Sequence, residues 1–368
     1  MRRAQSFINQ HLPLPKTILI NVIVLCGLFL LLELSYRVWL YFWNCDTICY
    51  NAAFITKLDT FYRRISYGFL APDPITGYSP ADGAFIIREP GWNNATVTIR
   101  KGVRVNENIA ATSPDGAILA IGDSFVFGDY VSDDATWPSI LERRLNRRVV
   151  NGGVSGYGTA QAILRAELLL KATSYSMVIL SILVDVDLSR DRDVNAYPYF
   201  HRPVVIREGD RLRQTTLEEI DSIVSNTFLC VNAWIPELFF WSHIANRFFS
   251  RLGYDGRCTR IFHPKAATVD EIIEFAVERF AALPVRKIIL LQYPRYAIEG
   301  PMRLAGGAIA QARKIRETAN HHVVPVIDTY GALKKESLDE TYNGYHHSKK
   351  GNEVVADVVA GAIAMLAP

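Results

Sequence analysis

The sequence predicts an α/β fold in which parallel strands alternate with helices over the C-terminal two-thirds of the chain. Three observations carry this. Short, mostly apolar runs recur at Ala117–Ile121, Arg148–Val150, Met177–Leu183, Lys287–Gln292 and Val323–Ile327. Helical patterns lie between them. The first two runs end in turn residues, Gly122 and Asn151-Gly152-Gly153. Five buried strands separated by helices predict a doubly wound, flavodoxin-like three-layer sandwich with a five-stranded parallel sheet. Ligands bind such sheets at the carboxyl ends of the strands.

In chain order, the first element is apolar. From Ile18 to Leu32 only Asn21 is polar, and apolar and aromatic residues continue to Trp43, interrupted by Glu33, Ser35 and Arg37. A helix over this stretch would be roughly 39 Å long, enough to cross a hydrocarbon core of about 30 Å with some tilt. Trp39, Tyr41 and Trp43 suit an interfacial belt. Arg2, Arg3 and Lys16 precede the span and Asp46 is the first charge after it. That asymmetry predicts a cytoplasmic N-terminus and an extracytoplasmic remainder. The expected organisation is a cytoplasmic segment 1–16, a transmembrane helix 17–43, a stalk or cap 44–115, and an α/β domain 116–368 carrying an insertion at 188–267. The lipid bilayer, contacted through residues 17–43, is thus an expected partner.

Within 44–115, Ala84–Arg88 and Thr96–Arg100 read as short β pieces. Helices are predicted from Thr136, as N-cap, to Leu145, with Pro138 in the first turn, and over Thr159–Lys171. Further helices fit Val269–Ala282, Arg303–Asn320 and Lys350–Leu366. The insertion holds Trp234, Phe239, Phe240, Trp241, Phe248 and Phe249 near helical spacing, which predicts a helical subdomain with its own small core. A lid or wall over the site is the functional alternative.

Charge and cysteine usage narrow the function. The net charge is +3 and no Lys/Arg block marks a nucleic-acid footprint, so nucleic acid is not an expected partner. Cys26 lies in the span. Cys45, Cys49, Cys230 and Cys258 fall on the oxidising side, where two disulfides are permitted. Cys45–Cys49 with Cys230–Cys258 is the simplest pairing, and four free thiols the alternative. No Cys-x-x-Cys spacing points to zinc.

The chemistry-bearing residues gather at strand ends. The first strand of the domain runs into Gly122-Asp123-Ser124-Phe125-Val126-Phe127-Gly128. Glycines on either side let the backbone turn sharply, and Asp123 can fasten the turn. A serine hydroxyl needs a nearby base. His346-His347-Ser348-Lys349-Lys350-Gly351-Asn352 follows the fifth strand and precedes the last helix, which returns a histidine to the same sheet edge. Asn151-Gly152-Gly153 ends the second strand, and a glycine N–H there can face a developing oxyanion.

Gly-Asp-Ser after strand one, Asn-x-Gly after strand two and His-x-Ser-x-x-Gly-Asn before the last helix together resemble the SGNH (GDSL) hydrolase superfamily. The resemblance spans about Ala117 to Leu366. It implies Ser124 as nucleophile, His346 as general base with His347 as fallback, and Gly153 as an oxyanion donor. It also implies metal-free, cofactor-free acyl chemistry, often on acetyl groups of carbohydrates, and by analogy a bacterial inner-membrane setting. Asp123, Asn151, Asp185, Asp187 and His347 are expected around the substrate.

Two departures stand out. The family's acid, two or three residues before the histidine, is replaced by Gly344 and Asn343; Asn343 is expected to orient the ring instead. After strand three the family's oxyanion asparagine is replaced by Val184-Asp185-Val186-Asp187. An aspartate there suits an oxyanion only if protonated or turned away. The expected function is a membrane-anchored serine esterase or O-acyltransferase acting on acylated carbohydrate or another ester; the alternative is an impaired binding or scaffold protein. Ser155 is a rival nucleophile, weakened because Tyr157 stands where the Gly-x-Ser-x-Gly elbow requires glycine. Asp185, Asp187, Asp191 and Asp193 offer a rival cation site.

Overall fold

The computed structural model describes residues 14–42, 69–88, 91–106, 116–194, 200–225, 267–300 and 302–366. The four cysteines considered for disulfides, Cys45, Cys49, Cys230 and Cys258, lie outside these residues, as do residues 44–68 of the stalk and the aromatic cluster 234–249.

The chain divides into two compact units. The first contains a 29-residue helix, Leu14–Phe42, whose stretch Ile18–Tyr36 has a mean hydropathy of 2.5. It is long and apolar enough to cross a membrane.

The second unit holds the α/β domain, within residues 62–227 and 259–368. Its strands are β1 (Leu70–Asp73), β2 (Gly77–Pro80), β3 (Gly83–Ile87), β4 (Ala95–Arg100), β5 (Val103–Arg104), β6 (Ile118–Ile121), β7 (Val149–Asn151), β8 (Met177–Leu183), β9 (Val205–Glu208), β10 (Arg211–Gln214), β11 (Arg286–Gln292), β12 (Val326–Asp328), β13 (Tyr342–Asn343) and β14 (His346–His347). The central sheet has the order β12-β11-β8-β6-β7-β5-β4-β3. Strands β12 through β7 are mutually parallel, and the helical crossovers predicted between them are present.

The sheet has eight strands rather than the predicted five. Strands β3, β4 and β5, from the region read as stalk or cap, continue it antiparallel, joined where Arg104 pairs with Asn151. Nothing in a two-residue strand such as β5 signals its sheet partner, which is set by tertiary packing. Strand five also starts later than predicted, because Val323 is an exposed turn residue at φ 56°. The described part of the insertion holds the end of helix Asp187–Arg190, the antiparallel hairpin β9–β10 and helix Leu217–Ser225, and the aromatic residues on which the helical subdomain is predicted lie outside the described residues.

Alternating side chains divide between the two faces of the sheet, as strand geometry requires. Leu119 and Ile121 of β6 face the core under helices Thr159–Ala172, Val269–Ala281 and Met302–His321. Ile118 and Ala120 face the core under helices Trp137–Leu145 and Lys349–Leu366. The carboxyl ends of β6 and β7 therefore open onto one rim, and the loops there carry the site.

Candidate active site

Ser124 stands three residues past β6, on a turn that leaves no room for a side chain at 122. Gly122 has φ 153°, and a Cβ there would lie 2.7 Å from Val126 Cγ2 and 2.8 Å from Ser181 O. Asp123 caps the four-residue helix Ser124–Phe127 by accepting the Phe125 N–H at 2.9 Å. Gly128, at φ 89°, ends it by returning its N–H to Ser124 O at 2.8 Å. Ser124 is almost fully buried.

The segment after β7 is stapled to this turn. The Asn151 amide, fully buried, donates to Val126 O at 2.9 Å and Phe127 O at 3.2 Å. Val154 N–H reaches Gly122 O at 3.1 Å. Gly153 passes so close that a Cβ would sit 2.4 Å from Phe127 N, and its N–H donates to Asn151 Oδ1 at 3.1 Å. Gly153, expected as an oxyanion donor, is therefore a packing glycine with its N–H already engaged. Asn151 is a brace for the serine turn rather than a substrate contact. Three residues on, Gly156 takes φ 78°. Among the described residues, neither the Gly156 nor the Ser124 N–H has a partner.

His346 arrives on the hairpin β13–β14, where it pairs across from Asn343. Its Nε2 is 2.9 Å from Ser124 Oγ. Phe125 and Tyr130 enclose the ring, with centroids at 5.2 and 4.7 Å. Burial first, then the charges of Arg190 and His347, push the imidazole down to about 3, so it is neutral near pH 7. Its Nδ1 is buried with no partner among the described residues. Gly344, two residues before the ring, occupies the tight turn at φ 64° and has no side chain to offer it. Asn343 does not orient the ring, because its amide donates instead to Gly91 O at 2.7 Å.

The remaining predicted residues separate. His347, proposed as fallback base and substrate contact, is buried behind Phe125, with Nε2 3.1 Å from Gln292 Oε1. Asp185 turns away at φ 66°: its carboxylate accepts the Tyr296 hydroxyl at 2.9 Å, and its N–H donates to Gln311. Asp187 is buried and accepts the Leu183 N–H and Arg190 Nη1, each at 2.8 Å. Burial, reinforced by Asp123, holds its carboxyl well above the usual carboxylate range. Asp191 instead faces the Ala160 N–H at 3.0 Å. Three of the four aspartates of the rival cation reading, Asp185, Asp187 and Asp191, are thus occupied by separate partners. Ser155 is buried and donates to Asp129 Oδ1 at 2.6 Å.

Four residues around the site escaped sequence reasoning. Asp129 is buried, with Oδ2 3.8 Å from His346 Nε2. Burial pushes its carboxyl up to about 7 against the opposing Ser155 hydrogen bond and Arg104 charge. Tyr130 sits at φ 74°, a left-handed conformation unusual for a bulky residue. Arg190 Nη1 bridges Asp123 Oδ2 at 3.0 Å, Asp187 and Tyr157 O, placing positive charge beside Ser124. Arg104, from β5, grips the loop: Nη1 donates to Phe127 O and Gly128 O, Nη2 to Thr96 O and Val131 O, and Nε to Asp133. The one local cue was Gly128-Asp129, an acid immediately after the turn glycine. Next to His346, Tyr130 and Asn343 line a cavity of about 580 Å³ shared with Trp92, Ser132, Asp134 and Lys349.

No family model and no curated protein matches the sequence. Solved structures similar in fold include proteins described as an SGNH hydrolase, as G-D-S-L lipolytic proteins and as carbohydrate acetylesterases. A carbohydrate acetylesterase family member from Sinorhizobium meliloti is 14% identical, covers 68% of this chain and 98% of its own, and has a TM-score of 0.36. A lipolytic protein of the G-D-S-L family from Veillonella parvula is 12% identical, with 67% and 98% coverage and a TM-score of 0.38. The psychrotrophic esterase EstA from Pseudoalteromonas is 11% identical, with 68% and 98% coverage and a TM-score of 0.38.

Proposed function

We propose that this chain is an SGNH-type serine esterase or O-acyltransferase, held at a membrane by its N-terminal helix with the α/β domain outside the cytoplasm. One observation carries the chemistry: Ser124 Oγ lies 2.9 Å from the Nε2 of an imidazole kept neutral by burial. A neutral imidazole takes the serine proton as Oγ attacks an ester carbonyl. The imidazolium then returns that proton to the departing alkoxide. The resulting acyl-enzyme is released by water in hydrolysis or by an acceptor hydroxyl in transfer.

The oxyanion falls to the N–H groups of Ser124 and Gly156, neither of which has a partner among the described residues. The asparagine amide expected after strand three is absent, and the loss of one such donor is typically worth about 2.7–4 kcal/mol. The burial of Ser124, beside a His346 ring packed against Phe125 and Tyr130, favours a small acyl group, acetyl first. The 580 Å³ cavity, lined by aromatic, amide, carboxylate and ammonium side chains, suits the alcohol portion of a carbohydrate ester.

The test is p-nitrophenyl acetate turnover by the full chain in detergent, compared with Ser124→Ala. Turnover that disappears in the variant supports the reading; equal rates reject it. The unpartnered Nδ1 of His346 favours one second reading, a binding or scaffold protein that kept the fold without turnover. That reading predicts no Ser124-dependent rate but retained binding of acetylated oligosaccharide.

A further inference from the structure

The geometry points to Asp129 as the charge partner of His346 during turnover, approaching the ring on its serine-facing nitrogen because the outer nitrogen has no acid. This rests on the serine-esterase reading above. An imidazolium formed in a buried site needs a counter-charge. The Nδ1 side offers none: it is enclosed without a partner among the described residues, and the position two residues upstream is Gly344, which has no side chain to offer.

Asp129 fills the need from the front. Its Oδ2 is 3.8 Å from His346 Nε2, within ion-pair range, while Oδ1 is held by the Ser155 hydroxyl at 2.6 Å. The backbone that aims it is bent against ordinary preference. Gly128 at φ 89° precedes it and Tyr130 at φ 74° follows it. A bulky residue in the left-handed region is strained and persists only where its surroundings impose it. Arg104 imposes it here, clamping the carbonyls of Phe127, Gly128 and Val131 on both sides of Asp129. The groups facing Asp129 are Arg104 of β5, Asp123 after β6, Ser155 after β7, Arg190 of helix Asp187–Arg190, and His346 of β14.

The proton balance is simple. As Ser124 Oγ bonds the carbonyl carbon, its O–H bond breaks and the proton moves to Nε2. The new Nε2–H lies between the reacting oxygen and Asp129 Oδ2, whose negative charge balances the ring. When the ester C–O bond breaks, that proton passes to the leaving alkoxide. Asp129 stays an anion throughout, so the resting enzyme must hold it ionised. The acid limb of kcat/KM then belongs to Asp129, near pH 7, while His346, pushed down to about 3, is already neutral.

The experiment is a pH profile of p-nitrophenyl acetate hydrolysis by the full chain in detergent. Asp129→Asn, nearly isosteric, is expected to lower kcat about 100-fold at pH 8.5 with little change in KM, and to remove the limb near pH 7. Ser155→Ala removes the hydrogen bond that favours the carboxylate, so its limb shifts to higher pH while the alkaline plateau persists. Thermal unfolding checks that both variants fold. A turnover-independent readout accompanies this: in histidine-labelled protein, the His346 ring resonance should report a transition near pH 7 that vanishes in Asp129→Asn. An unchanged kcat and limb in Asp129→Asn, or a ring transition that survives in it, overturns the assignment. A wild-type protein with that ring transition but no Ser124-dependent turnover contradicts the esterase reading, while leaving Asp129 as the charge coupled to His346.

Discussion

Arg104→Met tests whether the loop beside the serine is held by a single buried guanidinium. Arg104 is 2% exposed, and its three nitrogens make five hydrogen bonds, to Asp133 and to four backbone carbonyls. Methionine fills much of the same volume but strands the Asp133 carboxylate and those carbonyls. Removing one partner of a buried ion pair costs about 3–5 kcal/mol, largely because the other charge stays buried. Asp133 also accepts the Thr98 N–H at 3.1 Å, a partner it keeps in the variant, which places the expected loss toward the lower end, about 3 kcal/mol. For a domain of this size that corresponds to a fall of roughly 6–12 °C in the unfolding midpoint. The same substitution frees residues 127–131, so Asp129 and Tyr130 lose their aim at His346, and kcat should fall at temperatures well below unfolding. Differential scanning calorimetry and p-nitrophenyl acetate kinetics on one preparation read both effects. A midpoint within 2 °C of wild type (a shift worth less than about 1 kcal/mol) together with unchanged kcat would refute the reasoning.

Other substitutions separate bracing from chemistry. Asn151→Ala strands Val126 O and Phe127 O, and should cost about 2–4 kcal/mol by thermal unfolding while lowering kcat more than it raises KM. Asp185→Asn should leave turnover within about twofold, because Asp185 is tied to Tyr296 and Gln311 away from Ser124; a large kcat loss would return it to the site. Stability against pH should also register Asp129. Its folded pKa, about 7, lies above the ordinary aspartate value, so the folded state binds the extra proton between about pH 4 and 7. Its contribution therefore falls as pH rises through that window and is flat above it. The midpoint of Asp129→Asn minus that of wild type should widen between pH 4.5 and 7.5, and a constant difference would count against a buried, titrating Asp129.

What the sequence revealed followed from chain direction. A serine just past the first parallel strand of the domain and a histidine just before the last helix must share a rim in a doubly wound sheet, and His346 and Ser124 do. The parallel strands were legible for the same reason, each being a short apolar run between helical patterns. The antiparallel extension was not, because β5 is two residues long and its partner β7 lies 45 residues onward in the chain. Without β5, Arg104 has no visible role, and without Arg104 nothing indicates that Asp129 turns inward. Gly153 and Asn151 were placed correctly at the rim, but their hydrogen bonds go to the serine turn, which only the close packing of the two loops reveals. Asn343 was read as a substitute for the missing acid; the two-residue hairpin that aligns it with His346 sends its amide to Gly91.

The most direct measurement is the mass of the active-site peptide after treating the full chain with a fluorophosphonate. One phosphonyl adduct is expected, on Ser124, forming much more slowly in His346→Ala and absent in Ser124→Ala. An adduct on Ser155, no adduct at all, or labelling of Ser124 at the same rate without the His346 imidazole would contradict it.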